Sequence, residues 1–245
     1  MTPVHAARAT GVATLTLDSP ANRNALSADL VAALRAALAD AGADPEVRAV
    51  VLTHTGTTFC AGADLKSPCD PADFLGLLRE IAELPKPVVA RVTGHVRAGG
   101  LGLLGVCDIA AAGPQSSYAF TETHLGLAPA VISIPLLPRL DPRAAARYFL
   151  TAEAFDAAEA ARIGLLTLHS EGDVDAALEP VLAGLRKASP QGLAATKSLT
   201  AAAVREAVAR DGARLTELSA GLFASDEARE GITARFERRN PSWAL

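Results

Sequence analysis

Aromatic residues make up only 4% of this 245-residue chain, with a single Trp and a single Met. Half of all residues are nevertheless hydrophobic, so the core has to be built from Ala, Val, Leu and Ile. Long apolar runs are missing as well. The longest stretch free of charged residues and histidine, 125–138, holds 14 residues and three prolines, short of the roughly 20 apolar residues that cross a bilayer. The opening MTPVHAARAT has no apolar segment of the kind a secretory signal needs, so the expectation is a cytoplasmic protein that does not engage membranes. Cysteine is scarce: Cys60, Cys69 and Cys107 are odd in number and at no metal-ligand spacing, which reads as reduced thiols. No cationic excess is present. The net charge of −4 argues against nucleic acid as a partner, because a phosphate backbone calls for a clustered positive face. Lysine is rare, with four Lys against 19 Arg, so each lysine poses a question about its purpose.

What remains is a globular chain, since high apolar content with low net charge is the reverse of the disorder signature. Its first two-thirds alternate strand-like and helix-like segments. Val12–Leu17 alternates apolar residues with Thr, residues 49–53 form a short continuous apolar run, and Val88–Val92 and Ile109–Ala112 are further strand candidates. Between them, Ser27 stands as an N-cap before Leu30, Val31, Leu34 and Leu38 at helical spacing, with Gly42 as a stop. Asp70-Pro71 opens a second helix that ends at Leu84, ahead of Pro85 and Pro87. From about residue 136 the pattern predicts helices over 142–150, 155–163, 174–187, 190–210, 213–224 and 225–239, with one last strand at 163–168. This alternation predicts an α/β layer fold with crossover connections. A boundary near Ala188-Ser189-Pro190 divides a core, 1–188, from a C-terminal helical region, 189–245.

Two loops that follow strands are richer in glycine than packing requires, 55–66 and 94–102. Such loops offer free backbone N–H groups, and the second opens a helix at 101–106, where the unpaired N–H groups and the dipole favour negative charge. The same glycines also suit turns at positive φ and close approach of helix to strand. Neither loop has the G-x-x-x-x-G-K-[ST] or G-x-G-x-x-G spacing of nucleotide sites, and no G-x-S-x-G nucleophile elbow occurs.

Taken in order, Asn24-Ala25-Leu26-Ser27, Phe59-Cys60-Ala61-Gly62-Ala63-Asp64-Leu65, Pro85-Lys86-Pro87-Val88-Val89-Ala90, Ala98-Gly99-Gly100 with Cys107-Asp108-Ile109-Ala110, Phe120-x-Glu122-x-x-Leu125-Gly126-Leu127, Lys197 and Glu230-Gly231-Ile232 with Pro241-Ser242-Trp243 form one constellation. It resembles the enoyl-CoA hydratase/isomerase (crotonase) superfamily from about residue 14 to residue 243. The resemblance implies a crotonase-like spiral of ββα repeats with a C-terminal helical trimerisation region, assembled as a homotrimer or a dimer of trimers. It also implies an acyl-CoA thioester as substrate, no separate cofactor and no metal. By register, the backbone N–H groups of Ala63 and Gly99 form the oxyanion hole for a thioester enolate; losing one such donor costs about 2.7–4 kcal/mol. Ala61, Asp64, Leu65 and Lys66 fall where family members contact the CoA and its pantetheine arm, and Arg23 and Ala25 fall along the nucleotide end. Lys66 also suits a solvated surface position.

Family hydratases use two glutamates. The first is expected two residues after Gly100, where this chain has Gly102; the second is present as Glu122. In an apolar pocket the pKa of Glu122 would rise towards neutrality, as a general acid/base requires, though Glu122 also suits a helix N-terminus. One carboxylate leaves three outcomes open: a hydratase whose water is held by other groups, an enoyl-CoA isomerase, or an acyl-CoA-binding protein without turnover. His95, Arg97, Tyr118 and His124 are candidate helpers. At the C-terminal end, Arg235 stands where the family often has an aromatic residue, and Arg238 and Arg239 are candidates for a CoA phosphate or for a solvated helix face.

Overall fold

The computed structural model describes residues 2–245. It opens with an antiparallel hairpin of β1 (Val4–Ala9) and β2 (Val12–Leu17), joined by Thr10 and Gly11, both at positive φ (45° and 75°). Two central residues of that hand match the twist of the flanking strands, and glycine takes the second without strain. Helix α1 (Ala28–Ala43) follows with Ser27 Oγ accepting from the Leu30 N–H, and its predicted apolar face is buried.

A unit of long strand, short strand and helix then recurs. β3 (Ala49–His54), β4 (Thr58–Cys60) and α2 (Pro71–Glu83) form the first, and β5 (Val88–Val92), β6 (His95–Arg97) and α3 (Gly99–Val106) the second. β7 (Ile109–Ala112) and β8 (Ser117–Ala119) lead into a 3-10 turn, Glu122–Leu125, and α4 (Ala130–Leu136). The long strands β3, β5 and β7 pair in parallel in one sheet, and the short strands β4, β6 and β8 pair in parallel in another. This is the expected spiral of ββα turns. All six residues of β3 are buried, as suits a strand covered on both faces.

The remainder comprises α5 (Pro142–Thr151), β9 (Phe155–Asp156), α6 (Ala157–Arg162), β10 (Leu168–His169), α7 (Val174–Lys187), α8 (Pro190–Thr200), α9 (Ala202–Phe223) and α10 (Asp226–Glu237). β10 completes a six-stranded sheet of order β1-β2-β3-β5-β7-β10, and β9 a four-stranded sheet of order β4-β6-β8-β9.

Three predicted elements differ. Residues 163–166 are not a strand: the N–H groups of Gly164, Leu165 and Leu166 turn back onto the carbonyls of Ala161 and Ala160, and bonding to β7 begins only with the Thr167 N–H, ahead of the strand register at Leu168. The helix expected from 155 starts later, because Phe155 and Asp156 pair with β8 and Asp156 then caps α6 through the Glu159 N–H. The break expected near residue 212 lies at Ala201 instead. Gly212 sits inside α9 for packing, since a Cβ there would come within 3.0 Å of Leu75 Cδ2 on α2.

Two of the four lysines have clear structural purposes. Lys86 Nζ donates to the carbonyls of Ala41 and Asp44 at the end of α1, and Lys197 Nζ reaches from α8 to Asp108 and the Ile81 and Lys86 carbonyls. No helix among the described residues is long and apolar enough to cross a membrane.

Candidate active site

The loop after β4 and the start of α3 meet at one point. Leu26 donates its N–H to the Gly62 carbonyl and accepts from the Asp64 N–H, a parallel bridge centred on Ala63. In such a bridge the central residue's own N–H points to the opposite side. The Ala63 N–H is thereby turned away from Leu26, and it has no hydrogen-bond partner among the described residues. Gly99 is the first residue of α3, where helix geometry leaves N–H groups unpaired, and it too lacks a partner there.

Close backbone approach brings these two together. A Cβ on Gly62, whose φ is 89°, would lie 3.3 Å from the Gly99 nitrogen, and a Cβ on Gly99 would lie 3.7 Å from the Ala63 nitrogen. Between β6 and α3, Ala98 holds φ 46° and ψ −121°, a sparsely populated conformation for a residue with a Cβ. That strained corner aims the start of α3 at the loop of Ala63.

Glu122 enters from the third turn of the spiral. It opens the 3-10 turn, which Gly126 closes at φ 69°, and it is only 8% exposed. Its Oε2 has no partner. Burial pushes its pKa up to about 7, offset slightly by its own backbone N–H. A carboxyl group of this kind exchanges protons freely near neutral pH.

Ala63, Gly99 and Glu122 all line one cavity of about 600 Å³, whose apolar walls include Phe74, Ile132, Phe223 and Ile232. Ala61 and Leu65 line it as well. Arg23, Ala25, Asp64 and Lys66 do not. Arg23 is exposed in the left-handed conformation that closes the turn Pro20–Asn22, Ala25 is buried, and Lys66 is a solvated side chain. Asp64 braces the loop: burial disfavours its charge, but the Lys66 N–H, Asn22 Nδ2 and the Ser67 N–H together hold its pKa below the ordinary value.

The four candidate helpers lie outside the cavity lining. His95 and His124 are exposed, Tyr118 is buried with its hydroxyl donating to Ser116 Oγ, and Arg97 donates to the Val96 and Ser117 carbonyls. Arg239 is committed to Glu230 and Glu237. The cysteines are inert, since burial pushes Cys60 and Cys107 up to about 12 and Cys69 up to about 11.

The space where a side chain at 102 would begin is filled. A Cβ on Gly102 would lie 2.5 Å from Ile132 Cγ2, and one on Gly105 would lie 2.5 Å from Leu136 Cδ2. The two glycines, one turn apart on α3, let α4 seat Ile132 and Leu136 directly against the helix backbone. Ile132 was not a candidate from sequence, and only its contact with Gly102 marks it. Arg235 also lines the cavity; its one signal was the expected aromatic it replaces.

Known proteins carry the same architecture. An enoyl-CoA hydratase from Mycobacterium avium superposes with a TM-score of 0.93 at 54% identity, covering 100% of both chains. An enoyl-CoA hydratase/isomerase from Pseudoalteromonas atlantica gives a TM-score of 0.89 at 31% identity, covering 99% of this chain and 100% of that one. A mevalonyl-coenzyme A hydratase of Aspergillus fumigatus is 30% identical over 94% of this chain and 90% of its own. These relatives and the spiral of paired strands define a crotonase-fold protein. The profile described as Enoyl-CoA hydratase/isomerase matches residues 7–244, and the chain belongs to that family.

Proposed function

We propose that the protein is an enoyl-CoA hydratase in which one carboxylate, Glu122, serves as both base and acid. The observation that carries this reading is the opening of a buried carboxyl with a near-neutral pKa and two unpaired N–H groups onto one largely apolar cavity. Ionised Glu122 takes a proton from water as its oxygen bonds to C3 of a 2-enoyl thioester. The C2=C3 electrons move toward the carbonyl, and the Ala63 and Gly99 N–H groups hold the resulting enolate oxygen. Glu122 then returns the proton to C2, so that one water adds across the double bond. The CoA thioester is itself the substrate, and the balance calls for no cofactor.

The apolar wall at Gly102 favours a second reading. Ile132 packs against Gly102 where a side chain would have to start, so no second carboxylate projects from this position to hold water, and migration of a double bond needs none. In that reaction Glu122 removes a C2 proton from a 3-enoyl thioester and returns it at C4 through the same enolate. Separate incubations with crotonyl-CoA and a 3-enoyl-CoA decide between the two. Loss of the conjugated-thioester absorbance from crotonyl-CoA is the expected result, and a gain from the 3-enoyl substrate alone assigns isomerisation instead. No change with either substrate refutes both.

Restoring the absent carboxylate is expected to fail. Gly102→Glu drives its Cβ into Ile132, so a thermal or denaturant melt should show a loss of about 1–3 kcal/mol, as overpacked cores do. The crotonyl-CoA rate should not rise. A faster enzyme of unchanged stability would show that Ile132 yields to the new side chain.

A further inference from the structure

Arg235 is the one lysine or arginine lining the cavity among the described residues. Two nearby arginines are spoken for: Arg229 on α10 pairs with Asp226, and Arg239, just beyond the helix, with Glu230. Arg235 has no ion pair or side-chain hydrogen bond among the described residues, although two carboxylates share the cavity. Asp70 spends its carboxylate on the Ala72 N–H at the start of α2, and Glu122 Oε2 stays unpartnered.

The helix geometry aims this charge. Ala228, Gly231 and Arg235 follow one face of α10, and a Cβ on Gly231 would come within 2.6 Å of the Leu125 carbonyl carbon. Arg235, an exposed residue that lines the cavity, follows Gly231 on the face of α10 that packs on the turn carrying Glu122. Arg97 lies behind it, bonded only to the Val96 and Ser117 carbonyls and to Ser117 Oγ. Burial and the nearby Arg235 charge both lower the Arg97 pKa. Two guanidinium groups thus share a region in which no protein carboxylate is bonded to either.

We propose that Arg235 is a specificity-determining residue that binds a carboxylate on the acyl group, so that the preferred substrates are enoyl-CoA thioesters with a second, anionic end. The inference rests on the acyl-CoA reading above. An oxyanion in an acyl-CoA belongs either to the acyl group or to the CoA phosphates. The pantetheine arm keeps those phosphates far from the thioester carbon that must meet Glu122. Arg235 stands on the helix packed against the turn of Glu122, so we place its anion at the acyl end, although Ala61 and Leu65, on the loop read as meeting the pantetheine arm, line the same cavity.

Calorimetric titration with two saturated ligands tests this without turnover. Butyryl-CoA and glutaryl-CoA differ in chain length and, decisively, in the terminal carboxylate. Arg235→Met should weaken glutaryl-CoA binding by about tenfold to a hundredfold, the range of a charge-assisted hydrogen bond, and leave butyryl-CoA within twofold. Arg235→Lys should recover part of the loss. Equal weakening of both ligands would place Arg235 on the CoA moiety, and no weakening of either would leave it without a role; each result overturns the proposal. If the unaltered protein binds neither ligand, the acyl-CoA reading itself falls and takes this inference with it.

Discussion

Replacing Glu122 by Gln is expected to lower the rate by about 10²–10⁴-fold, the usual worth of a positioned acid/base, while making the protein more stable above neutral pH. The two effects share one cause. The folded-state pKa of Glu122 is raised from 4.5 to about 7 by burial, so between those values the folded state holds a proton that the unfolded chain has released. Stability is then full below about pH 4.5 and falls as pH rises through about 7. The shift corresponds to roughly 3 kcal/mol once the group is ionised. Glutamine never ionises and escapes that cost, although its amide inherits the unpartnered position of Oε2 and trims the gain. Denaturant unfolding at pH 5 and pH 8.5 should show little difference for the variant and a drop for the native protein. In parallel, kcat/KM for hydration should climb with pH through about 7, because in the proposed mechanism the carboxylate form is the base that accepts the water proton. An active Glu122→Gln variant, or a rate limb at the ordinary glutamate value, would remove Glu122 from the mechanism.

Lys197→Met should cost about 3–5 kcal/mol, the penalty for stranding one partner of a buried ion pair. The Lys197 side chain is 4% exposed and that of Asp108 13%, and their charged atoms lie 2.8 Å apart. Lys197 Nζ also donates to the Ile81 carbonyl at 2.7 Å and the Lys86 carbonyl at 3.0 Å. Asp108 Oδ2 in turn accepts the Val88 N–H where β5 begins. Burial lowers the Lys197 pKa and Asp108 offsets only part of that, so the ammonium is held there by its bonds at a cost in solvation. Methionine fills the space but leaves Asp108 charged and two carbonyls without their donor. Adding Asp108→Asn should recover much of the loss, since Asn still accepts from Val88 and no buried charge remains. The checking measurement is urea unfolding of the native protein and both variants; a loss under about 1 kcal/mol for the single variant would contradict the assignment.

Much of this protein is legible along the chain because its signals are local. The caps Ser27 and Asp70 mark their helices directly: Ser27 Oγ and Asp70 Oδ1 accept the first free N–H groups of α1 and α2. Buried strands such as β3 and β5 read as apolar runs. The second sheet stays hidden, since its strands have two or three residues and a period of two needs more length than that to show. β1 is hidden for another reason: five of its six residues are exposed, so no alternation of apolar and polar residues exists to be read.

The sequence by itself determined the family register, the helix boundaries set by local caps, the presence of Glu122 and the absence of a carboxylate at 102. Tertiary structure alone decided what those residues can do. The direction of the Ala63 N–H depends on a bridge to the distant Leu26. The raised pKa of Glu122 depends on burial, with α5 and α10 packed on its turn. Gly102 reads in sequence as a missing acid, but only the crossing of α3 and α4 shows Ile132 in its place. Arg235 is one of nineteen arginines in sequence, and only the packing of α10 on the Glu122 turn makes it the cation that lines the cavity. Caps and periodicity act over a few residues and can be read from the chain. Desolvation, N–H direction and charge pairing depend on which distant segments meet, and these arise only when the chain folds.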